Sequence, residues 1–343
     1  MQALAIESKT GIEAARVMDV AEPVCGPEDV VVRVRAAAFN HLDLWTVNGE
    51  LPFEIDYPFV LGADGAGEVE VTGERVRGIK PGARVIVDPA LSCGRCERCR
   101  AGEQSNCVSF EMLGEHRNGT MAQRVCVPAT NVYPFPDHLG FEQAAALGVT
   151  SITAYRMLFT RGRFRPGEWV LITGIGGGLA LSLLQLSVGV AGRIFVTSSS
   201  PEKIERALQM GATDGIDYKK VDVGKEVRRL TSKRGVDLVC DSAGGDTLDG
   251  SMRALRPGGR IVIAGATAGS KSTIDVRRLF WNQIEVIGST MGSASDVSDM
   301  LRMVAGARIE PVIDRIVDLQ DAPDGLAAMA AGDRFGKVVV RIA

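Results

Sequence analysis

The chain has little net charge, few cysteines outside one loop, no basic-then-apolar leader and no unbroken apolar run of membrane-spanning character. Each absence excludes something. A formal charge of −3 over 343 residues leaves no broad basic face for nucleic acid. Of seven cysteines, four lie between positions 93 and 107, while Cys25, Cys126 and Cys240 stand far apart. A disulfide framework would scatter pairs through a small secreted domain, so this usage predicts a reducing, cytoplasmic setting. The start, "MQALAIESKTGIEAARV", predicts no secretory signal. The stretch "WVLITGIGGGLALSLLQLSVGVAG", Trp169 to Gly192, carries no charge and is long enough to cross a bilayer. Six glycines interrupt it, and its β-rich start passes into a helical pattern. A strand, a glycine turn and a buried helix are therefore expected, and no membrane partner.

What is present reads as two domains. The first 150 residues are mainly short strands, "DVVVRVRAAAF", "GAGEVEVTG", "ARVIVDP" and "QRVCVPATNVYPF", separated by turn signals such as "GPED" and "KPGA". The middle alternates apolar strands with helices: "EWVLITG", "GGLALSLLQLSVGV", "GRIFVTSS", "SPEKIERALQMGA", "VDLVCDSAG" and "GRIVIAG". That alternation predicts a doubly wound parallel sheet, with Ser200 capping a helix that has Pro201 at its first position. The end, from "RIEPVIDRIVDL" to "FGKVVVRIA", returns to the strand-and-turn style and is expected to rejoin the first domain.

Two loops carry chemistry. "SCGRCERCRAGEQSNCV" presents Cys93, Cys96, Cys99 and Cys107, a metal-site spacing that alone fits a catalytic centre, a structural staple or a nucleic-acid knuckle. Its arginines, Arg95, Arg98 and Arg100, come without an aromatic residue between the cysteines, so the nucleic-acid reading ranks last. "ITGIGGGLA" lies between a strand and a helix, as a dinucleotide-binding loop requires. Gly174 and Gly176 give the first half of G-x-G-x-x-G. Gly177, Gly178 and Ala180 complete the turn one register later, where Leu179 breaks the first. The next strand ends in Ser198 and Ser199 rather than a carboxylate, and Lys203 follows. Hydroxyls and an ammonium suit a 2′-phosphate, so NADP(H) is the expected cofactor. Gly265, ending "GRIVIAG", is a further cofactor-side candidate.

With strands first, a C-x2-C-x2-C-x7-C loop and then a nucleotide domain, the chain resembles the medium-chain dehydrogenase/reductase superfamily over essentially its full length. The resemblance implies an α/β fold: a GroES-like, mostly β catalytic domain over 1–152 and 297–343, and a Rossmann NADP(H)-binding domain over 153–296. It also implies one structural zinc on Cys93, Cys96, Cys99 and Cys107, a closed shell with no position for substrate. An iron–sulfur cluster is the competing metal, but the short ferredoxin run has its fourth cysteine sooner and a proline after it, whereas Val108 follows Cys107.

The family's alcohol dehydrogenases add a catalytic zinc, and here the sequence departs from them. Asn40 stands at the cysteine ligand, Leu42 at the proton-relay hydroxyl, Ala63 at the histidine ligand with Asp64 as the acid beside it, and Gly148 or Val149 at the third ligand. Asp43 is retained with nothing evident to orient. The segment Asn40 to Asp43 matches the N-x-x-D of the quinone and enone reductases that work without catalytic zinc. Asn40 is then the candidate hydrogen-bond donor to substrate, His41 a basic residue near the cofactor phosphates, Tyr57 (or water) the proton donor, and Tyr218 the tyrosine near the adenosine 2′-phosphate. His116 reads as an exposed loop histidine, and Trp45, Phe53 and Trp281 as core residues first and pocket walls second. The expected activity is NADPH-dependent hydride transfer to a quinone, an enone or an enoyl thioester. The alternatives are a zinc alcohol dehydrogenase and a catalytically idle NADPH-binding protein. "NQIEVIGSTM" matches the strand by which relatives dimerise, predicting a homodimer or homotetramer.

Overall fold

The computed structural model describes residues 1–342 of the chain, in two compact units, Met1–Thr150 with Gly292–Ala343, and Ser151–Met291. In the first unit the valine-rich segment Asp29–Ala38 is the central strand. It pairs antiparallel with Asp64–Thr72, Arg124–Pro128 and Lys337–Arg341. Flanked along both edges, it buries residues of both faces, Val30, Val32 and Val34 as well as Val31, Ala36 and Ala38. β-branched side chains suit that pleated, crowded surface. Val338 and Val340 of the last strand lie in the same core as Leu4, Val30 and Phe39, so the chain's end closes the sheet begun near its start.

The second unit is a six-stranded parallel sheet. Across it run Asp214–Asp217, Arg193–Ser198, Trp169–Ile172, Val236–Asp241, Leu255–Ile263 and Glu285–Gly288. This is the order 3-2-1-4-5-6 of a Rossmann sheet, which reverses direction of growth beside its first strand. The expected α/β class is therefore found. The apolar stretch from Trp169 resolves into the strand Trp169–Ile172, a glycine turn and the helix Gly178–Ser187. No helix among the described residues is long and apolar enough to cross a membrane. Ser200 caps the helix Pro201–Gln209 as expected, its hydroxyl accepting from the Lys203 amide at 3.3 Å, with proline at the first turn.

Candidate functional site

The cysteine loop folds around a short helix, Glu97–Arg100, whose N-cap is Cys96. Its four Sγ atoms all lie within 4.8 Å of one another, with Cys96–Cys99 at 3.5 Å and Cys93–Cys99 and Cys96–Cys107 at 4.0 Å. Thiolates about 2.3 Å from a tetrahedral zinc lie about 3.8 Å apart, so the four sulfurs already outline that shell. Backbone amides point at them: Cys96 donates to Cys93 Sγ at 3.4 Å, Cys99 to Cys96 Sγ at 3.5 Å, and Cys93 and Ser109 to Cys107 Sγ at 3.3 Å. The amides of Arg95 and Cys96 hold the Cys93 thiol below its ordinary value, and those of Cys99 and Val108 bring Cys96 down to about 6, whereas burial pushes Cys99 up to about 11. Among the described residues this is the only group of three or more cysteine, histidine or acidic side chains placed to share a metal ion. The donor set fits zinc, and with four ligands the shell is closed.

Asn40 caps the helix His41–Val47. Its backbone amide donates to Asp43 Oδ2 at 2.7 Å, and Asp43 Oδ1 accepts from the Gly62 amide at 2.9 Å. Asp43 thus does have something to hold, the turn before the strand Asp64–Thr72, which the sequence did not disclose. Burial pushes its carboxyl up to about 6, against the pull of these two amides and of Lys337. Beside it lies an ammonium that sequence reasoning missed altogether. Lys337 is 4% exposed, and its Nζ donates to Phe39 O at 2.7 Å, Asn40 Oδ1 at 2.6 Å and Asp64 Oδ2 at 2.8 Å. All three ammonium donors are used. Asp64, with no exposed surface, accepts from the Val149 amide through its other oxygen at 2.6 Å. A side chain at Gly148 would begin 2.0 Å from that oxygen. The glycine is therefore required by the carboxylate next to it.

The lysine fixes the Asn40 amide with its oxygen turned inward. The amide nitrogen has one partner, Ala38 O, at a long 3.5 Å, and so retains donor capacity. His41, at the next position, stands edge-on to Trp45 with centroids 5.2 Å apart. Burial, then the Arg334 charge, lowers its pKa against the opposing pull of Glu50. Tyr57 is 44% exposed, and no hydrogen bond of its side chain links it to Asn40 or His41. His116 is stacked on Phe53 at 4.2 Å, its Nδ1 accepting from the Met112 amide at 3.2 Å, so it is a packed residue rather than a free loop histidine. Trp281 is 78% exposed on the helix Val276–Trp281, outside the core in which an aromatic residue is expected.

In the second unit, the glycine loop follows the carboxyl end of the sheet's first strand. Gly174 and Gly176 have φ of 69° and 124°, conformations that side chains resist. The Gly174 amide donates to Thr197 Oγ1 at 3.0 Å and the Ile175 amide to Thr197 O at 2.7 Å, tying the loop to the neighbouring strand. A Cβ placed on Gly177, the helix N-cap, would meet nothing within 4 Å. Gly178 starts the helix, and Ala180 is 2% exposed against the sheet. This open, amide-lined helix start is the cradle a pyrophosphate requires. Ser198 pairs in register with Asp217, and its carbonyl accepts from the Tyr218 amide at 3.2 Å. Ser198 and Tyr218 therefore meet at the carboxyl ends of their strands, with Ser199 following at once and Lys203 one helical turn on. Ser198 Oγ also accepts from the Ser200 amide at 3.1 Å, and Tyr218 is 46% exposed. Asp217, overlooked in the sequence, is paired with Lys220 at 3.1 Å. Gly265 has a packing reason: a side chain there would begin 2.3 Å from the Ser242 carbonyl oxygen.

These features have counterparts in known proteins. Residues 26–137 match the family model of the alcohol dehydrogenase GroES-like domain, and residues 176–306 that of zinc-binding dehydrogenase. An acryloyl-coenzyme A reductase of Metallosphaera sedula is 30% identical over 342 residues, 99% of either chain. A crystal structure titled as an NAD-dependent alcohol dehydrogenase superposes with a TM-score of 0.95 at 40% identity, covering 100% of both chains. The crotonyl-CoA carboxylase/reductase AntE in complex with NADP gives 0.93 at 26% identity, covering 99% of this chain and 94% of that one. With its mostly β unit, its Rossmann sheet and its four-cysteine loop, the chain belongs to the medium-chain dehydrogenase/reductase superfamily and is one of its oxidoreductases.

Proposed function

We propose that the protein is an NADPH-dependent reductase of activated alkenes, with enoyl thioesters as the leading substrate class, and that its one zinc is structural. The observation that carries this reading is the buried Lys337–Asp64–Asn40 network. It occupies the neighbourhood where the alcohol dehydrogenases assemble catalytic zinc. The side chains at the three ligand positions are an amide at Asn40, a methyl group at Ala63, and a hydrogen atom or an isopropyl group at Gly148 or Val149, none of which binds a metal. A thiol or imidazole at position 148 would collide with the Asp64 carboxylate, so a ligand could not be restored there by substitution alone. Lys337 already supplies the positive charge that balances that carboxylate.

A nicotinamide cofactor held at the glycine loop would supply the hydride. The rest is work for this chain's own residues. Reduction of a conjugated alkene develops negative charge on a distant carbonyl oxygen, which a positioned hydrogen-bond donor can stabilise without a metal. The Asn40 amide nitrogen is that donor, and the proton added to the neighbouring carbon comes from Tyr57 or water. Ser198, Ser199, Lys203 and Tyr218 favour a 2′-phosphate over a bare ribose. The acryloyl-CoA and crotonyl-CoA reductases among its relatives support the substrate class. The 40%-identical structure titled NAD-dependent alcohol dehydrogenase supports the competing reading.

Turnover separates the two. With NADPH, crotonyl-CoA or acryloyl-CoA is expected to be reduced at least about 100-fold faster than any simple aldehyde or ketone, and metal analysis should return one zinc per chain. Two zincs with chelator-sensitive alcohol oxidation would establish the alcohol dehydrogenase instead. Tight NADPH binding with no turnover of quinones, enones, enoyl thioesters or aldehydes would establish an idle binding protein.

A further inference from the structure

A cavity lies in the Rossmann unit at the end of the parallel sheet opposite the glycine loop. Its volume is about 480 Å³, within the roughly 300–1,000 Å³ of small-molecule sites. Its place follows from the strands. Lys233 lies just before the strand Val236–Asp241, Leu255 begins the next one and Ile284 precedes the last. These are amino-terminal ends, whereas the glycine loop follows a carboxyl end of the same parallel sheet.

The lining is cationic and lacks acids. Lys225, Arg228 and Arg229 come from the helix Val223–Leu230, Lys233 from the turn after it, Arg253 from the helix Thr247–Ala254, and Arg278 from the helix Val276–Trp281. The nearby carboxylates are already engaged. Glu226 pairs with Arg229 at 2.6 Å, and Asp222, at 2.8 Å, and Asp249 both pair with Arg253. Lys225, Arg228, Lys233 and Arg278 have no salt bridge among the described residues. The Nε atoms of Arg253 and Arg278 are buried without any hydrogen-bond partner. Buried guanidinium donors are ordinarily satisfied, and gathering four cations without carboxylate partners around one cavity costs free energy unless an anion answers them. No aromatic ring lines the cavity to stack a base, and its apolar lining is limited to Met252, Leu255 and Ile284.

We infer that this cavity binds the phosphate groups of a small polyanion, answered by the four cations without a carboxylate partner, Lys225, Arg228, Lys233 and Arg278. The ligand class is a diphosphate, either free or carried on a nucleoside. The site is separate from the cofactor's, and the inference stands whatever the substrate of the reductase.

The test is calorimetric titration of the full-length protein with inorganic pyrophosphate at low ionic strength, with the nicotinamide cofactor saturating so that the glycine loop is filled. One saturable site per chain is expected. R278Q should weaken it at least 10-fold, and K225Q/K233Q, which alters only exposed side chains, should do likewise with an unchanged melting temperature. An ADP arm identifies the source: binding at least 10-fold tighter than pyrophosphate marks a nucleoside diphosphate, and equal or weaker binding marks the free anion. No saturable binding by millimolar pyrophosphate, or binding that both variants leave intact, overturns the site.

Discussion

Lys337 concentrates the consequences of a single residue. It is an ammonium inside a run of valines, and everything that compensates it is distant in sequence: Asn40 is 297 positions away and Asp64 is 273. Removing one member of a buried pair leaves the other charge unanswered, which typically costs about 3–5 kcal/mol. K337M is therefore expected to destabilise the first unit by that order, read by urea unfolding. D64N/K337M keeps the acceptor for the Val149 amide while discarding the stranded charge, and should recover at least half of the loss. If the double variant is no more stable than K337M, charge compensation is not what the lysine provides. In the sequence, "FGKVVV" showed only a lysine in a strand. Asn40 could be singled out because Asn40 to Asp43 match the N-x-x-D segment of the reductases that the chain resembles. Its orientation could not, because that depends on a strand from the other end of the chain. Asp43 was undervalued for the same reason, since the Gly62 amide it accepts from lies in another loop.

Among the elements, the cysteine loop and the glycine loop were the most legible, because backbone geometry forces their residue types at short spacing. Four thiols within one loop have few arrangements, and glycines at positive φ announce themselves in composition. Elements whose residues answer to packing were less so. Gly148 and Gly265 are glycines because a carboxylate and a carbonyl press against them, and Trp281, read as a core residue or a pocket wall, faces solvent. The cysteine loop yields a test at its own scale. Its helix is a single turn, Glu97–Arg100, too short to persist unaided, so a metal held by the four thiolates would carry its order. Stripping zinc with a chelator is expected to lower the thermal midpoint by roughly 5–10 °C, as the loss of a few kcal/mol does for a domain of this size. Below that midpoint, the initial rate of enoyl-thioester reduction should stay within about twofold. A rate that falls in step with zinc content would mean that the metal takes part in the reaction.

For the molecule as a whole, the open question in the fold is the free edge of the parallel sheet. The strand Glu285–Gly288 pairs on one side only, and an unprotected edge offers its backbone groups to another chain. Lysine or proline commonly guards such edges, yet this strand reads "EVIG", with Val286 38% exposed. The helix just before it adds Val276, Phe280 and Trp281, which are 65%, 63% and 78% exposed. That is more apolar surface than a monomer's helix needs to show. We propose that two copies join along this strand about a twofold axis, the arrangement that lets one edge satisfy itself, with the aromatic helix packed beside the seam. Pairing the edges would make one sheet of twelve strands from two of six. Sedimentation at micromolar concentration should return twice the chain mass. V286K/W281S, which puts a charge on the edge and removes the largest exposed ring, should shift the protein to monomer at least 10-fold more readily while leaving NADPH binding unchanged, because the glycine loop lies on the sheet's interior strands. A wild-type protein that sediments as a monomer would refute the pairing, and a dimer indifferent to both substitutions would move the interface elsewhere.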